Sequence, residues 1–214
     1  MTDAASRSGS AGPGRQHDFD EIYRGQPPWD IGRPQEIFAD LARSGRFVGR
    51  VLDSGCGTGE HTLLAASLGL DAVGVDLAAA AIAAAEAKAA ERGSTARFAV
   101  HDVLALDRLG SDHPHLAGGY DTVIDSGVFH VFDDADRARY VRSLATVVNP
   151  GGHYLMAVFS DRQPGDWGPR RVTEAEIRSS FSDGWTIESL LPAVFSITID
   201  PAGAQAWVGV IRRH

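Results

Sequence analysis

Hydrophobic and polar positions follow two different patterns along this chain. Short runs dominated by apolar residues recur at 50–55, 71–76, 96–102, 120–126 and 152–159. These runs predict strands, and the stretches between them, 58–68, 78–92 and 134–148, have the periodicity of helices. In the last stretch Tyr140, Val141, Leu144, Val147 and Val148 form one apolar stripe. Strands that alternate with helices predict a parallel sheet covered on both faces.

The end of the chain changes this alternation. The stretch "TEAE" at 173–176 has the spacing of a capping box and predicts a helix to about Phe181. Residues 185–199 and 204–213 then predict two strands joined through Pro201 and Gly203, which is a short antiparallel return. The predicted fold is therefore α/β, with five parallel strands, a final hairpin and helices on both faces.

Composition limits the domain organisation. The chain has 214 residues, 43% of them hydrophobic, which suits one folded domain over 17–214. Residues 1–16 are rich in Ser, Gly, Ala and Pro and predict a disordered tail. We expect 17–45 to cover a binding site that is built on a core of residues 50–214.

Charge and cysteine content narrow the partners. A net charge of −8 without a Lys/Arg cluster disfavours nucleic acid, so we expect a small-molecule partner. No apolar run is long enough to span a membrane, and the single Cys56 suits a reducing, cytoplasmic location. No residue pattern suggests a metal site, and the sequence leaves the oligomeric state open.

A glycine-rich turn, "VLDSGCGTGEHT", follows the first predicted strand and precedes a helix. Gly55, Gly57 and Gly59 occupy the first, third and fifth places, whereas a dinucleotide fingerprint needs glycine at the first, third and sixth. Glu60 takes the sixth place, and no Lys-Ser/Thr pair completes a P-loop. The spacing disfavours a dehydrogenase and indicates a nucleoside ligand without a pyrophosphate.

Two acidic residues end the following strands. Asp76 lies about twenty residues after the glycines, where a carboxylate can accept hydrogen bonds from both ribose hydroxyls. Asp102 ends the third strand and can accept from an adenine amine. The alternatives are structural: Asp76 and Asp102 as helix caps or turn residues, and Asp53 as an acceptor of backbone N–H groups only.

As a set, "VLDSGCGTGEHT", "GVDL", "HDV", "YDTVIDSGVFH" and "NPGG" resemble the motifs of class I S-adenosylmethionine-dependent methyltransferases. The resemblance covers about residues 50–159. It implies a Rossmann-like, seven-stranded, mostly parallel sheet with an antiparallel last strand. It also implies S-adenosyl-L-methionine as cofactor, with S-adenosyl-L-homocysteine as product. The implied cofactor contacts are Asp53, Gly55 and Gly57 at the methionine part, Asp76 and Leu77 at the ribose, Asp102 and Val103 at adenine, and Asp125.

The segment "YRGQPPWDIGRPQEIFADL" precedes the first strand. Pro27 and Pro28 stiffen it, and Pro34 is expected to begin a helix. It resembles the "PPWDxGxPQ" segment of small-molecule methyltransferases related to thiopurine, thiol and halide methyltransferases and to actinobacterial enzymes that O-methylate phenolic heterocycles and quinones. The resemblance implies cofactor or substrate contacts by Trp29, Ile31 and Gly32; the alternative is a helix leader with a buried Trp.

The acceptor side is predicted after the fourth and fifth strands. His130 is the candidate catalytic residue, either as a general base or as a neutral wall of the pocket. Phe129, Phe132 and Trp167 are candidates for stacking on a flat substrate, although each could be core. Arg162, Arg170 or Arg171 could meet an acidic substituent, and Asp133, Asp134 and Asp136 are expected to cap a helix rather than bind metal.

These observations predict a methyltransferase that acts on oxygen of a small aromatic or heterocyclic acceptor. The first alternative is an S-methyltransferase of small thiols or thiopurines. A second alternative, of a different class, is a protein that binds S-adenosylmethionine without catalysis.

Overall fold

The computed structural model describes residues 19–214, so the predicted disordered tail lies outside the described residues. Residues 19–23 are helical, and the later elements alternate as the sequence predicted. The helices are α1 (Glu36–Arg43), α2 (Glu60–Ser67), α3 (Ala79–Glu91), α4 (Leu109–Asp112), α5 (Asp134–Val147) and α6 (Glu174–Ser180). The strands are β1 (Arg50–Ser54), β2 (Asp71–Asp76), β3 (Arg97–Val100), β4 (Tyr120–Ser126), β5 (Val148–Phe159), β6 (Trp185–Ile197) and β7 (Asp200–Arg213).

The strands form one sheet of seven in the order β3-β2-β1-β4-β5-β7-β6. Strands β1 to β5 are parallel, and β7 runs antiparallel between β5 and β6. The predicted Rossmann-like fold with its final hairpin is confirmed. Because the parallel strands all end at one edge, the residues that follow β1, β2, β3, β4 and β5 lie close together at that edge.

Each central strand contributes to a core on both faces of the sheet. Val123 and Tyr154 belong to the cluster that packs under α5, whereas their neighbours Ile124 and Leu155 pack on the opposite face with Phe38 of α1. Successive side chains of a strand point to opposite faces, so this alternation requires apolar cover on both sides. No helix among residues 19–214 is both long and apolar enough to cross a membrane.

Three boundaries differ from the sequence prediction. Strand β7 already begins at Asp200, so Pro201 and Gly203, which were predicted to join the last two strands, lie inside it. Helix α1 begins at Glu36 rather than Pro34, with Gln35 at the N-cap position. Strand β5 already begins at Val148, so the predicted turn at 149–152 lies inside it. The pairing of β5 with β4 shifts in register here: Tyr120 pairs with Val148, but Thr122 pairs with His153. The extra residues of β5, which include the turn-forming sequence, therefore form an irregularity within the strand.

Residues 20–35, which we call the N-terminal strap, cross the carboxyl edge of the sheet. At one end Asp20 accepts a hydrogen bond from the backbone N–H of Ala80 at the start of α3 (3.0 Å). Further along, Asp30 accepts one from the hydroxyl of Thr58 in the glycine-rich turn (3.1 Å). These polar contacts hold the strap against the binding edge.

The other end of the strap is attached to the final hairpin. The carbonyl of Pro28 accepts a hydrogen bond from the N–H of Thr198 (2.8 Å). The buried side chain of Gln35 pairs with the backbone of Ser196, to which it donates (2.9 Å) and from which it accepts (2.8 Å). The strap therefore spans from α3 to the β6–β7 hairpin.

Candidate functional site

The glycine-rich turn is tight because other elements approach its backbone. Gly55 and Gly57 have φ values of +72° and +52°, a region that favours glycine. A Cβ atom on Gly55 would lie 2.2 Å from Val128, and one on Gly57 would lie 2.8 Å from the hydroxyl of Tyr23. Any side chain at Gly55 or Gly57 would overlap with Val128 or Tyr23, respectively.

Gly59 serves a different purpose. A Cβ atom there would lie 2.9 Å from both Ala85 and the ring of Phe98, which pack behind the turn. Its φ of +86° is also in the left-handed region. The third glycine of the motif therefore allows α2 and α3 to pack together.

Asp53 has a free oxygen in a fully buried position. Its Oδ2 accepts hydrogen bonds from the N–H (3.1 Å) and the hydroxyl (2.8 Å) of Thr62. Its Oδ1 has no hydrogen-bond partner among residues 19–214. Burial raises the pKa of Asp53 to about 7, against the effect of the Thr62 bonds. An unsatisfied buried acceptor is costly, so this oxygen suits a ligand that brings a donor.

Asp76 joins the glycine-rich turn to the end of β2. Its carboxylate accepts from the N–H of Gly57 (2.8 Å) and of Ala78 (2.9 Å), and it is flanked by the half-buried Leu77. Burial raises the pKa of Asp76. Each carboxylate oxygen has a second lone pair, so a diol can still bind.

Asp102 and Val103 follow β3. Asp102 accepts the N–H of Leu104 (2.9 Å) and caps the 3₁₀ segment Val103–Arg108, which is the structural alternative considered for it. Val103 is buried in the core that α5 covers. Their contact with adenine stays a prediction.

Asp125 was predicted as a cofactor contact, but its carboxylate is occupied by protein donors. The N–H groups of Val128 and Phe129 donate to it, as do the hydroxyls of Tyr140 and Tyr154, at 2.5–3.1 Å. Burial raises its pKa to about 6 in spite of these bonds. These bonds fix the loop after β4, and a contact of Asp125 with the cofactor stays a prediction.

Phe129 and Phe132 lie where the core alternative placed them. Phe129 is fully buried and stacks on Phe181, with ring centroids 5.8 Å apart. Phe132 is 4% exposed and packs on Tyr140. Both rings belong to the core, and their contact with a substrate stays a prediction.

His130 is buried at the carboxyl end of β4. Its Nδ1 accepts the N–H of Phe159 (3.0 Å), so the proton of the neutral ring is on Nε2. Burial, together with the charges of Arg137 and Arg171, lowers the pKa of His130 to about 3. A ring with this tautomer has no free lone pair, which favours the pocket-wall alternative over the general base.

His61, in the first turn of α2, has a similar environment. Its Nε2 accepts the N–H of Gln35 (3.1 Å), and burial lowers its pKa to about 4. Cys56 is buried, and burial raises the pKa of its thiol well above the usual value. Neither group carries a charge at neutral pH.

Aromatic side chains surround the outer side of His130. The His130 ring meets the edge of Phe159 at 5.2 Å, and Phe159 in turn meets Trp167 at 5.8 Å. Trp167 is 38% exposed, and the guanidinium of Arg171 lies 5.7 Å from its ring centroid. We call His130, Phe159 and Trp167 the aromatic wall.

The other two candidate arginines are engaged in protein contacts. Arg162 lies over the ring of Trp207 at 4.3 Å. Arg170 forms ion pairs with Asp134 and Glu176. The expected cap of α5 is confirmed at Asp133, whose side chain accepts the N–H of Asp136 (2.9 Å).

In the N-terminal strap, Trp29 is 40% exposed rather than buried, and its Nε1–H donates to the hydroxyl of Tyr23 (3.1 Å). Gly32 has a φ of +68° and donates its N–H to Asp30 (3.2 Å), while nothing lies within 4 Å of a Cβ built there. Gly32 thus serves a turn, and its cofactor contact stays a prediction, as does that of the half-buried Ile31.

Tyr23 is a candidate site residue that sequence reasoning missed. Its hydroxyl lies over Gly57, and burial and the charge of Asp76 raise its pKa well above the usual value. The hydroxyl therefore keeps its proton and can donate a hydrogen bond. A signal was available, because Tyr23 lies only six residues before Trp29 in the same quoted segment.

Within the part of the chain that the structure describes, no group of three or more His, Cys, Asp or Glu residues could hold a metal ion. The free oxygen of Asp53 and the carboxylate of Asp76, on either side of the tight turn at Gly55 and Gly57, instead fit a ligand with an amine and a diol.

Comparisons with known proteins agree with this geometry. A methyltransferase domain model matches residues 51–152. A 2-heptyl-1-hydroxyquinolin-4(1H)-one methyltransferase of Mycobacteroides abscessus is 36% identical over 186 residues, which cover 82% of this chain and 79% of that protein. A probable thiol methyltransferase of Arabidopsis thaliana is 26% identical over 71% of this chain and 65% of its own length.

The chain is also similar to a solved structure. That structure comes from work on the conversion of a disulfide bond into a thioacetal group during echinomycin biosynthesis. The two chains are 34% identical, each is covered to 92%, and the TM-score is 0.81. With the glycine-rich turn, the acidic strand ends and the reversed β7, these similarities identify the chain as a class I S-adenosylmethionine-dependent methyltransferase.

Proposed function

We propose that this enzyme transfers the methyl group of S-adenosylmethionine to an oxygen of a small aromatic or heterocyclic acceptor. The observation that carries this proposal is the short distance between the cofactor turn and the aromatic wall. Val128 contacts the space over Gly55, and a Cβ atom on the adjacent Gly127 would lie 3.2 Å from Nε2 of His130. Two adjacent residues of one loop, Gly127 and Val128, therefore lie against the aromatic wall and the cofactor turn respectively.

The residues around the turn have complementary roles toward the cofactor. The free oxygen of Asp53 accepts from the ammonium group, and Asp76 accepts from the ribose hydroxyls. Tyr23 donates its hydroxyl to the carboxylate, from above Gly57. When bound, S-adenosylmethionine supplies an electrophilic methyl group on a sulfonium sulfur.

On the acceptor side, the aromatic wall holds a flat ring by stacking on its partly exposed member, Trp167. His130 stays neutral and orients the wall through its bond from Phe159. Methyl transfer is an in-line displacement that depends on alignment, and proximity and orientation supply about 7–11 kcal/mol of such barriers. The acceptor oxygen would form the new bond to the methyl carbon as the carbon–sulfur bond breaks, which leaves S-adenosylhomocysteine, and the acceptor proton would pass to solvent before or during transfer.

The acceptor class rests on the relatives as well as on the wall. The Mycobacteroides relative is named for a hydroxylated quinolinone, which is an aromatic heterocycle with an oxygen nucleophile. The net charge of −8 favours a small molecule over nucleic acid as the partner. The alternative acceptor is a small thiol, supported by the plant thiol methyltransferase and by the structure described for thioacetal formation.

Matched acceptors can separate oxygen from sulfur. The full chain is incubated with S-adenosylmethionine and either 4-nitrophenol and 1-hydroxyquinolin-4(1H)-one or the corresponding thiols, and products are identified by mass spectrometry. O-methylated products that are absent with Asp76→Ala would support the proposal. Methylation of thiols alone would replace it by the S-methyltransferase, and no methylation of either set would reject both acceptor classes.

A further inference from the structure

Ser54 and Val128 approach the glycine-rich turn from two sides. Ser54 is the last residue of β1 and directly precedes Gly55, and its side chain is fully buried. Val128 belongs to the loop after β4, and a Cβ atom on Gly55 would lie 2.2 Å from its side chain. The position of Val128 therefore limits the space that a ligand has beside Gly55.

Asp125 holds Val128 in this position. Its Oδ1 accepts the N–H of Val128 (2.7 Å), and its Oδ2 accepts the N–H of Phe129 (3.0 Å). The same Oδ2 accepts the hydroxyls of Tyr140 from α5 (3.1 Å) and Tyr154 from β5 (2.5 Å). Four donors from three parts of the chain thus fix one fully buried carboxylate.

Tyr140 connects this carboxylate to the glycine-rich turn. Its hydroxyl lies 2.8 Å from the hydroxyl of Ser54, and both side chains are fully buried. Burial raises the pKa of Tyr140 well above the usual value, so its hydroxyl keeps its proton at neutral pH. Because this one proton is donated to Asp125, the hydroxyl of Ser54 is the donor to Tyr140. The directions of both bonds are therefore defined.

These bonds form a closed path around the contact between Val128 and Gly55. The path runs from Ser54 through Tyr140 and Asp125 to Val128, which lies over the residue that follows Ser54. We call the four side-chain and backbone partners on this path the turn-support network: Ser54, Tyr140, Asp125 and Val128. A change at any member alters the position of Val128 relative to the turn.

The loop that carries Val128 also reaches the aromatic wall. Gly127 donates its N–H to the carbonyl of Ala157 (2.9 Å), and a Cβ atom on Gly127 would lie 3.2 Å from Nε2 of His130. The turn-support network therefore determines how the glycine-rich turn is placed relative to the wall.

We propose that Ser54 and Tyr140 are positioning residues, which hold the amino-acid part of the cofactor in register with the aromatic wall. This inference rests on the proposed function, which places the amino-acid part of S-adenosylmethionine over Gly55 and Gly57. Both side chains are fully buried, so they act through Asp125 and Val128. An in-line displacement depends on alignment, and a misplacement of about 1 Å can cost about 10²-fold in rate.

Two ligands separate the amino-acid part of the cofactor from its nucleoside part. S-adenosylhomocysteine carries both, whereas 5′-methylthioadenosine has the nucleoside and the sulfur but no amino acid. Calorimetric titration of the full chain measures both affinities. Ser54→Ala and Tyr140→Phe should each weaken binding of S-adenosylhomocysteine about fivefold or more. Their affinity for 5′-methylthioadenosine should stay within about twofold of the wild type, because this ligand does not reach the space that Val128 limits.

Tyr154→Phe is the matched variant for Tyr140→Phe. Each change removes one hydroxyl from the same oxygen of Asp125, but only the loss of the Tyr140 hydroxyl opens the path to Ser54. Tyr154→Phe should therefore weaken binding of S-adenosylhomocysteine less than Tyr140→Phe does. The double variant Ser54→Ala/Tyr140→Phe should bind this ligand about as weakly as Tyr140→Phe alone, since both changes break the same connection.

The rate of methyl transfer provides a second readout. With both substrates saturating, kcat of Ser54→Ala and of Tyr140→Phe should fall about tenfold or more, because the methyl group is no longer aligned with the acceptor. The KM of the acceptor should change by less than about threefold, since neither residue contacts it.

Wild-type affinity of both variants for S-adenosylhomocysteine, an equal loss of affinity for both ligands, or additive losses in the double variant would each overturn the inference. A wild-type kcat in either variant would overturn it as well. The two proposals can fail separately. If the wild type methylates no acceptor, the proposed function is rejected, and the comparison of the two ligands alone decides the role of Ser54 and Tyr140.

Discussion

The hydroxyl of Tyr23 lies 2.8 Å from the point that a Cβ atom on Gly57 would occupy. A residue of the N-terminal strap therefore covers the backbone of the glycine-rich turn directly. Trp29 supports this position by donating its Nε1–H to the same hydroxyl (3.1 Å). We therefore propose that the strap contributes to the cofactor site as well as covering it.

Replacing Tyr23 with Phe should weaken binding of S-adenosylhomocysteine about tenfold, because a donor to a charged group is lost. Calorimetric titration measures the affinity. Tyr120→Phe is the matched control. Tyr120 lies at the start of β4, and its hydroxyl donates to the carbonyl of Leu116. Equal affinities of the Tyr23 variant and the wild type would remove Tyr23 from the site.

Asp53→Asn should stabilise the fold relative to the wild type as pH rises, and it should weaken binding of S-adenosylhomocysteine. The pKa of Asp53 is about 7 in the folded protein and about 3.9 in an unfolded chain. The folded state therefore holds the proton more tightly, and its free energy of unfolding falls as pH rises from about 4 to 7. Asn does not titrate in that range. The free energy of unfolding of the variant, relative to that of the wild type, should therefore rise by about 1–3 kcal/mol from pH 5 to pH 8.

Denaturant unfolding at both pH values measures this gain for Asp53→Asn. The other buried acids titrate in both proteins and largely cancel in the difference. The same variant should bind S-adenosylhomocysteine more weakly, because an amide N–H replaces a carboxylate oxygen. A stability difference that is the same at pH 5 and pH 8 would contradict the raised pKa.

Asp76→Ala should weaken binding of S-adenosylmethionine about tenfold or more, since the ribose acceptor and the bond from Gly57 are lost together. Asp107→Ala, an exposed position on the segment after β3, is the control. Calorimetry with the wild type and both variants checks this expectation. Wild-type affinity of Asp76→Ala would exclude the ribose role.

His130→Gln should lower kcat/KM by about tenfold or less, whereas loss of a general base typically costs 10²–10⁴-fold. With a pKa of about 3, His130 is neutral from pH 5.5 to pH 8, so its replacement should leave the shape of the pH–rate profile unchanged. Rates of O-methylation over this range provide the test. An acidic limb near pH 6.5 that disappears in the variant would restore the general-base assignment.

Gly59→Ala should reduce the free energy of unfolding by about 1–3 kcal/mol, because its methyl group would overlap Ala85 and Phe98. Gly69→Ala is the control for backbone strain, since Gly69 has a similar φ of +79° with nothing within 4 Å of its Cβ position. Denaturant unfolding of both variants isolates the cost of overlap. Once folded, Gly59→Ala should bind the cofactor with an affinity within about twofold of the wild type.

The sequence predicted the order of strands and helices because each element carries its own local pattern. The residues around Asp125 had no such pattern, since two of its donors, Tyr140 and Tyr154, are 15 and 29 positions away. Phe129 and Phe132 could be core or pocket by residue type, and only the tertiary packing assigned them to the core. The role of Tyr23 depends on the path of the strap, which long-range bonds determine.

The attachment of the strap to the final hairpin has a consequence for biosynthesis. Gln35 leaves the ribosome long before its partner Ser196, which is made 161 positions later. The parallel strands β1 to β5 can pair before that point, but the hairpin contacts of the strap do not yet exist. The strap of the nascent domain is therefore held at one end only until β6 and β7 are synthesised, and synthesis of this hairpin completes the cover of the cofactor edge.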